Sequence, residues 1–190
     1  RSSGRMGVAL AAEARRRGAS VTLLAANLAV PPPSGVDVVP TPTAADLERE
    51  ALARGDADVI LMAAAVADYR PTAPLAAKRA KDGGDWAVLL EPTVDVAAAL
   101  GAQRRRGQVL VAFGAEQGPD GIERKRAMLT AKNVDLVVFN DVGRSDIGFD
   151  SDENEVVLLA PGGDTVVPRA PKRVVAAAIL DAVEALVPSD

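Results

Sequence analysis

The chain has 190 residues, 48% of them hydrophobic, so it is long enough for one substantial core and short for two. It contains no cysteine and no histidine, which excludes disulfides, Ser–His–Asp and Cys–His catalysis, and the commonest ligands of transition metals. A net charge of −4, with one Trp, one Tyr and three Phe, argues against a nucleic-acid groove.

The pattern of apolar residues predicts helices and strands in alternation. In chain order we expect a helix at 6–17 capped by Gly18, strands at 21–24 and 36–39, a helix at 44–54 that begins at Thr43, strands at 58–62 and 86–90, a helix at 93–103, a strand at 109–113, a helix at 121–132, a strand at 136–140, a hairpin of 155–160 and 165–167, and a helix at 172–186. This order predicts one α/β domain with a doubly wound, mostly parallel sheet and the hairpin as an antiparallel appendage. No apolar run approaches a membrane span and no secretory signal is present, so we expect a soluble, cytoplasmic protein.

The opening residues Ser2, Ser3 and Gly4 stand directly before the first predicted helix. Hydroxyls, an unhindered backbone and the positive end of a helix dipole suit a phosphate or a carboxylate, although an ordinary serine cap with a glycine turn explains the pattern equally well. A dinucleotide site is disfavoured, because Gly4-x-x-Gly7 is not the G-x-G-x-x-G spacing and the strand at 21–24 is not followed by an acidic residue.

Seven segments follow one another along the chain: SSGRMG, AAAVADYRP, a following loop that ends in Lys78, EPTVD, VAFGAE, AKNVDLVVFND and GFDSDEN. In this order they resemble the phosphopantothenoylcysteine synthetase family, which has the second activity of the bacterial bifunctional coenzyme A biosynthesis protein. The resemblance implies a Rossmann-like homodimer that uses CTP and Mg²⁺ to activate 4′-phosphopantothenate as an acyl-cytidylate, which L-cysteine then attacks. The expected product is 4′-phosphopantothenoylcysteine.

The resemblance also implies a strand before the serine–glycine turn. Residues 1–190 would then be a single ligase domain without its first strand, and in bifunctional members a flavin-dependent decarboxylase domain stands further upstream. A functional asparagine of the family would precede Arg1, so no residue of this chain takes that role. No partner among nucleic acids or membranes is expected.

The resemblance assigns most of the candidate site. The nucleotide-binding residues it implies are Ser2, Ser3, Gly4, Met62, Ala63, Ala64, Asp68, Lys78, Pro92, Thr93, Val94, Asp95, Phe113, Met128 and Lys132. Asp68 follows an apolar strand, where a carboxylate can reach a ribose hydroxyl or a metal ion, directly or through water, or can simply cap a turn. Lys78 is the catalytic candidate, because its Pro- and Gly-bounded segment suits a mobile lid that brings an ammonium to the phosphates. In isolation it would be a solvated surface lysine.

The remaining candidates also have structural explanations. Pro92 to Asp95 open a helix whose first amides could meet a phosphate or could simply be capped, and Phe113 ends a strand that would ordinarily be core. The family usually has two lysines four residues apart on the helix at 121–132, whereas this chain has Met128 and Lys132. Lys125 lies on nearly the same helical face and could supply the missing charge. Asn140, Asp141 and residues 149–154 match family motifs but indicate no specific role.

Two other functions remain open from the sequence. One is a reductase that binds NAD(P), and the other is a non-catalytic α/β dimer scaffold in which Asp68 and Lys78 are incidental. The predicted homodimer also has a sequence argument of its own, since the hairpin places Val156, Val157, Leu158 and Leu159 where an exposed sheet edge would need covering.

Overall fold

The structure is a computed structural model that describes residues 3–116, 120–141 and 152–188, with residue 141 described by its backbone alone. The helices are α1 (Arg5–Arg16), α2 (Ala44–Leu52), α3 (Val96–Gln103), α4 (Gly121–Arg126), α5 (Met128–Ala131) and α6 (Lys172–Glu184). The strands are β1 (Thr22–Ala25), β2 (Asp37–Pro40), β3 (Val59–Met62), β4 (Tyr69–Pro71), β5 (Leu90–Pro92), β6 (Val109–Glu116), β7 (Leu136–Asp141), β8 (Glu153–Ala160) and β9 (Gly163–Pro171).

The central sheet has five strands in the order β3-β6-β7-β8-β9. Strands β3, β6 and β7 are parallel, with Val59 opposite Val109 and Val111 opposite Leu136, whereas β8 and β9 join in antiparallel fashion. Strands β1 and β2 form a separate parallel pair, and β4 and β5 form a separate antiparallel ribbon. The predicted fold class, a mostly parallel α/β sheet with an antiparallel hairpin, is confirmed.

Helices cover both faces of the central sheet because its strands are apolar on both sides. On β6, Val109 and Val111 pack into a cluster with α1 and α6, and the intervening Leu110 packs into a second cluster with α2 and α3. All three side chains are almost completely buried. A buried parallel strand of this kind fixes the positions of the loops that leave its carboxyl end.

Several helix ends follow the local chemistry that the sequence indicates. Helix α2 begins with a capping box in which the Thr43 hydroxyl accepts from the Asp46 amide at 3.1 Å. Gly18 follows α1 with φ +92°, the left-handed conformation that favours glycine at a helix C-terminus. At the other end of α1 the N-cap residue is Gly4 (φ +74°), so the expectation of a serine as N-cap is wrong.

Two predicted segments around residues 86–103 are wrong in their bounds. The strand at 86–90 is in fact β5, which begins at Leu90 and pairs with β4, so Trp86 stands outside any strand. Helix α3 begins at Val96 rather than at residue 93, because the Thr93 amide donates to the Asp68 carbonyl at 2.9 Å and is held in an extended segment.

The helix expected at 121–132 is interrupted at Ala127 and forms α4 and α5. The expected hairpin is longer than predicted and is an integral part of the central sheet. Its strand β8 lies between β7 and β9, where Val156, Leu158 and Leu159 are buried within the chain. The prediction that Val156 to Leu159 form an exposed edge is therefore wrong, and the edge strand of the sheet is β9.

Membrane insertion through a helix has no support in the described part of the chain, where no helix has the length and apolar character of a span.

Candidate functional site

An open cleft of about 260 Å³ lies at the carboxyl ends of β3 and β6. Its walls come from the loop after β3, the segment that leads into α3, the end of β6, and helices α4 and α5. The residues that line it are Met62, Ala64, Ala65, Val66, Ala67, Asp68, Thr93, Val94, Asp95, Val96, Ala97, Ala112, Phe113, Gly114, Ala115, Lys125, Met128 and Lys132. Ligands of open α/β sheets bind at this edge, beyond the carboxyl ends of the strands.

Two walls of the cleft are joined by Thr93. Its hydroxyl donates to the Ala67 carbonyl at 2.5 Å, and its amide donates to the Asp68 carbonyl at 2.9 Å. The same two segments continue outward as the β4–β5 ribbon, where Arg70 Nε lies 2.8 Å from Glu91 Oε1. The loop after β3 and the start of α3 are therefore bonded to each other, and the ribbon is attached directly to the cleft.

Asp95 and Lys132 form an ion pair in the cleft, with Asp95 Oδ2 2.9 Å from Lys132 Nζ. Asp95 is also the N-cap of α3, since its Oδ1 accepts from the Ala98 amide at 3.1 Å. Partial burial would raise the pKa of Asp95, but the hydrogen bonds from Lys132 and Ala98 outweigh it and the pKa is lowered. The carboxylate is therefore charged at neutral pH.

Lys125 forms a second ion pair, 3.2 Å from Glu116 Oε2, while Arg124 Nε lies 2.6 Å from the other oxygen of Glu116. The aliphatic stem of Lys125 passes over Gly114, where an added Cβ would stand 2.7 Å from Lys125 Cδ. Desolvation acts to raise the pKa of Glu116, yet the hydrogen bonds from Arg124 and Lys125 leave it lowered. Glycine at position 114 is thus what allows Lys125 to reach the cleft.

The structure brings together most of the residues that the sequence nominated. Those that line the cleft are Met62, Ala64, Asp68, Thr93, Val94, Asp95, Phe113, Met128 and Lys132. Ala63, by contrast, packs against the core cluster under α1 and α6, and Pro92 ends strand β5. Neither is among the lining residues.

The catalytic candidate Lys78 lies outside the cleft in this structure. It is exposed in the segment between β4 and β5, which the ribbon holds at its base. At the N-terminus of α1, Ser3 is buried and its carbonyl accepts from the Ala29 amide at 3.0 Å, but neither Ser3 nor Gly4 lines the cleft. Ser2 lies outside the described residues, as do positions 148–151 of the last family motif.

Three groups of cleft residues were not nominated for the site. Ala65, Val66 and Ala67 lie within the quoted segment AAAVADYRP, so the signal was present in the motif. Val96 and Ala97 follow from the start of α3. Ala112, Gly114 and Ala115 lie within the quoted segment VAFGAE, so this motif contained them as well, although the strand was expected to end at Phe113.

Asn140 lies at the same edge of the sheet, opposite Ala115 in the β6–β7 ladder. Its Oδ1 is buried and has no hydrogen-bond partner within the part of the chain that the structure describes. A buried acceptor without a partner typically costs about 1–3 kcal/mol, so this oxygen is suited to accept from a water or a ligand.

The cleft combines small side chains with two lysines and two carboxylates. The alanines at 64, 65 and 67 leave the backbone accessible, and Met128 separates Lys125 from Lys132 with an apolar surface. Among the described residues, no cluster of three or more acidic side chains could hold a metal ion by itself. The arrangement suits a flat polar group placed against backbone and an anionic group placed between the lysines.

A family model matches nearly the entire chain. Residues 1–186 match the DNA/pantothenate metabolism flavoprotein C-terminal domain.

Curated relatives and a solved structure give the same result. The coenzyme A biosynthesis bifunctional protein CoaBC of Bacillus subtilis (strain 168) is 37% identical over 166 residues, which are 86% of this chain and 40% of that protein. The protein of the same name from Escherichia coli (strain K12) is 35% identical over 184 residues, 95% of this chain and 45% of that protein. This chain therefore spans less than half of either relative. The crystal structure of the C-terminal domain of a CoaBC protein superposes with a TM-score of 0.82 at 31% identity, and the match covers all of this chain and 85% of that one.

Proposed function

Because the chain belongs to the family of the DNA/pantothenate metabolism flavoprotein C-terminal domain, we propose that it is a phosphopantothenate–cysteine ligase domain of coenzyme A biosynthesis. The observation that carries the proposal is the cleft, which gathers the motif residues of three distant segments, 62–68, 93–95 and 125–132, at one sheet edge. CTP is the proposed co-substrate, and 4′-phosphopantothenate and L-cysteine are the proposed substrates.

The proposed reaction has two steps. A carboxylate oxygen of 4′-phosphopantothenate attacks the α-phosphorus of CTP, the bond to the bridging oxygen breaks, and pyrophosphate leaves. The neutral amine of L-cysteine then attacks the acyl carbon, CMP departs with the electrons of the carbon–oxygen bond, and the nitrogen loses a proton as the amide forms. Both steps place negative charge on phosphate oxygens, which fixed cations stabilise.

Each wall of the cleft has a proposed task. Lys125 and Lys132 attract the phosphates, and the small side chains at Ala64 and Ala65 allow the nucleotide to contact the backbone. Asp68 accepts from a ribose hydroxyl or takes part in binding Mg²⁺, directly or through water. Phe113 of β6 lies beside the nucleotide.

Magnesium fits this residue set as an ion shared with the nucleotide. Mg²⁺ is commonly bound by one or two carboxylates together with substrate phosphates, and Asp68 and Asp95 both line the cleft. When bound, the ion would neutralise charge on the phosphates. The described residues supply no larger acidic cluster, so its binding would depend on the nucleotide.

Lys78 is the proposed catalytic residue, delivered by closure of the segment between β4 and β5. Support comes from the ribbon, whose base is bonded to the cleft through Thr93, so the segment that carries Lys78 is anchored beside the cleft. Because Lys78 is exposed in the open arrangement, it would act only after closure.

The residues at 1–190 are proposed to be one domain that lacks a first strand. In support, β1 and β3 belong to separate sheets, yet Leu24 of β1 and Ile60 of β3 pack against the same apolar cluster. A further parallel strand between them would join both sheets. Upstream of it we propose a flavin-dependent decarboxylase domain, since the bifunctional relatives are more than twice the length that this chain matches.

We also propose a homodimer, through a different surface from the hairpin. The ribbon and its loop expose large apolar side chains, including Tyr69 at 62%, Trp86 at 57% and Leu89 at 74% of their full area. A cluster of this kind on a small domain indicates a contact surface.

A thermal-shift panel with CTP, ATP and NADPH, each with and without Mg²⁺, tests the nucleotide. Ligand at a hundred times its Kd stabilises a protein by about 2.7 kcal/mol. Selective stabilisation by CTP with Mg²⁺ is the expected result. Selective stabilisation by NADPH would instead support a reductase, and no stabilisation by any of the three would support the non-catalytic scaffold.

A further inference from the structure

The ammonium of Lys132 is held by a carboxylate of the same chain at the place where the proposed function requires it to meet a phosphate. Its Nζ lies 2.9 Å from Asp95 Oδ2, and both residues line the cleft. The side chain of Lys132 is 25% exposed and that of Asp95 is 50% exposed, so the pair borders the open space of the cleft.

The backbone of Lys132 cannot move away from this pair. Its carbonyl is packed against Gly101 of α3, where an added Cβ would stand 1.8 Å from the Lys132 oxygen. Next to it, Asn133 has φ +51° and donates from Nδ2 to the Gly101 carbonyl at 2.8 Å. Helix α3 and the end of α5 are therefore fixed to each other, and only the side chain of Lys132 can change its partner.

Asp95 is equally fixed at its backbone because it caps α3. One carboxylate oxygen accepts from the Ala98 amide at 3.1 Å, which leaves the other oxygen for Lys132. The carboxylate also occupies the first turn of α3, where free amides and the helix dipole would otherwise favour an anion.

We propose that Asp95 is an internal anion that holds the Lys132 ammonium until a ligand phosphate displaces it. The inference rests on the proposed function, since it assumes that the cleft binds a phosphate chain. Breaking the ion pair costs the same free energy whichever phosphate ligand takes its place, so Asp95 lowers the absolute affinity of the cleft for pyrophosphate and for phosphate alike.

The variant Asp95→Asn separates this role from helix capping, because asparagine caps a helix as well as aspartate does. Inorganic pyrophosphate and inorganic phosphate are the probes, titrated calorimetrically into the wild-type protein, Asp95→Asn, Lys132→Gln and the double variant. In Asp95→Asn we expect pyrophosphate to bind about tenfold tighter, equivalent to ~1.4 kcal/mol. Phosphate should gain by a similar factor, because both probes would displace the same carboxylate from Lys132.

The gain should disappear in the double variant, since it acts through Lys132, and the double-mutant cycle measures this coupling directly. A purely structural role for Asp95 would change the melting temperature without raising either affinity. If the wild-type protein binds pyrophosphate and Asp95→Asn binds it equally or more weakly, the inference is overturned while the proposed function stands. If neither protein binds pyrophosphate, the inference is overturned, and the proposed function is decided separately by the formation of CMP and the amide product.

Discussion

At the scale of single residues, the first prediction concerns Lys125, three residues before Met128, where the resemblance to the family leads us to expect a lysine. Lys125 borders the cleft together with Lys132, with its stem against Gly114. We predict that Lys125→Ala and Lys132→Ala each weaken CTP binding about tenfold, because each removes a charge-assisted contact to phosphate. Calorimetric Kd values decide the matter.

Arg106→Ala is the matched control, since Arg106 is an exposed cation that does not line the cleft. Its affinity for CTP should equal that of the wild-type protein. If Lys125→Ala behaves like this control while Lys132→Ala weakens binding, Met128 is simply tolerated and Lys125 supplies no compensating charge.

Lys78 gives rise to a different prediction, because it lies outside the cleft in this structure. An interaction formed only on closure contributes to the rate and little to ground-state binding. Lys78→Gln should therefore slow pyrophosphate release about a hundred- to a thousandfold while changing the CTP Kd by less than about threefold. Near-normal release in this variant would return Lys78 to the role of a surface lysine.

At the scale of elements, the contact between α3 and the end of α5 depends on one glycine. In Gly101→Ala the added Cβ would meet backbone, the Lys132 carbonyl, and cannot be accommodated by a side-chain rotation. We predict a loss of about 2–4 kcal/mol in the free energy of unfolding, since overpacking forces the helices apart. Urea denaturation measures it.

Gly7→Ala is the corresponding control. Gly7 lies within α1 and has no neighbour within 4 Å of an added Cβ, so alanine should stabilise the helix by up to about 1 kcal/mol. Equal effects of the two substitutions would mean that the α3–α5 contact is looser than described.

The link between α1 and α6 predicts a pH dependence. Hydrogen bonds from Arg16 and then Arg17 lower the pKa of Glu13 to about 2, and Arg17 also pairs with Asp181 and Glu184 of α6. A depressed pKa in the folded state means that the stabilisation is complete above the unfolded value of about 4.5 and is lost as the pH falls towards 2.

The variant Glu13→Gln tests this link. It should melt at a lower temperature than the wild-type protein at pH 7, and the difference should shrink as the pH is lowered through that window. A difference that is constant with pH would show that the ionised carboxylate is not its source.

The sequence predicted elements where the signal was local and missed them where it was not. The start of α2 at Thr43 and the glycine that follows α1, Gly18, depend on neighbouring residues and were placed correctly. The β4–β5 ribbon was missed because Tyr69 and Pro92 are paired across a long exposed loop with no periodic pattern. The break at Ala127 was missed because no glycine or proline marks it.

The cleft residues also divide into those with a local sequence signal and those without one. Motif segments identified most of its lining, since each follows the end of a strand or begins a helix. The ion pair of Asp95 with Lys132 could not be predicted, because it depends on how closely Gly101 allows α3 to approach the end of α5. Close packing between distant elements cannot be recognised from the sequence of either segment alone.

At the scale of the whole molecule, the exposed apolar residues of the ribbon predict self-association. We expect light scattering at micromolar concentration to give twice the mass of the chain. Trp86→Ser combined with Leu89→Ser should yield the monomer without unfolding, since both side chains lie outside the core. The opposite outcome, a wild-type protein that is monomeric across the range, would remove the dimer proposal.

In the proposed function, the cleft joins an acid to an amine at the expense of CTP. The most direct measurement incubates the protein with CTP, Mg²⁺, 4′-phosphopantothenate and L-cysteine and follows the products by mass spectrometry. We expect 4′-phosphopantothenoylcysteine, CMP and pyrophosphate in equal amounts, with no amide product when either CTP or L-cysteine is left out. Binding of CTP without any CMP or amide product, in the native full-length protein, would contradict it.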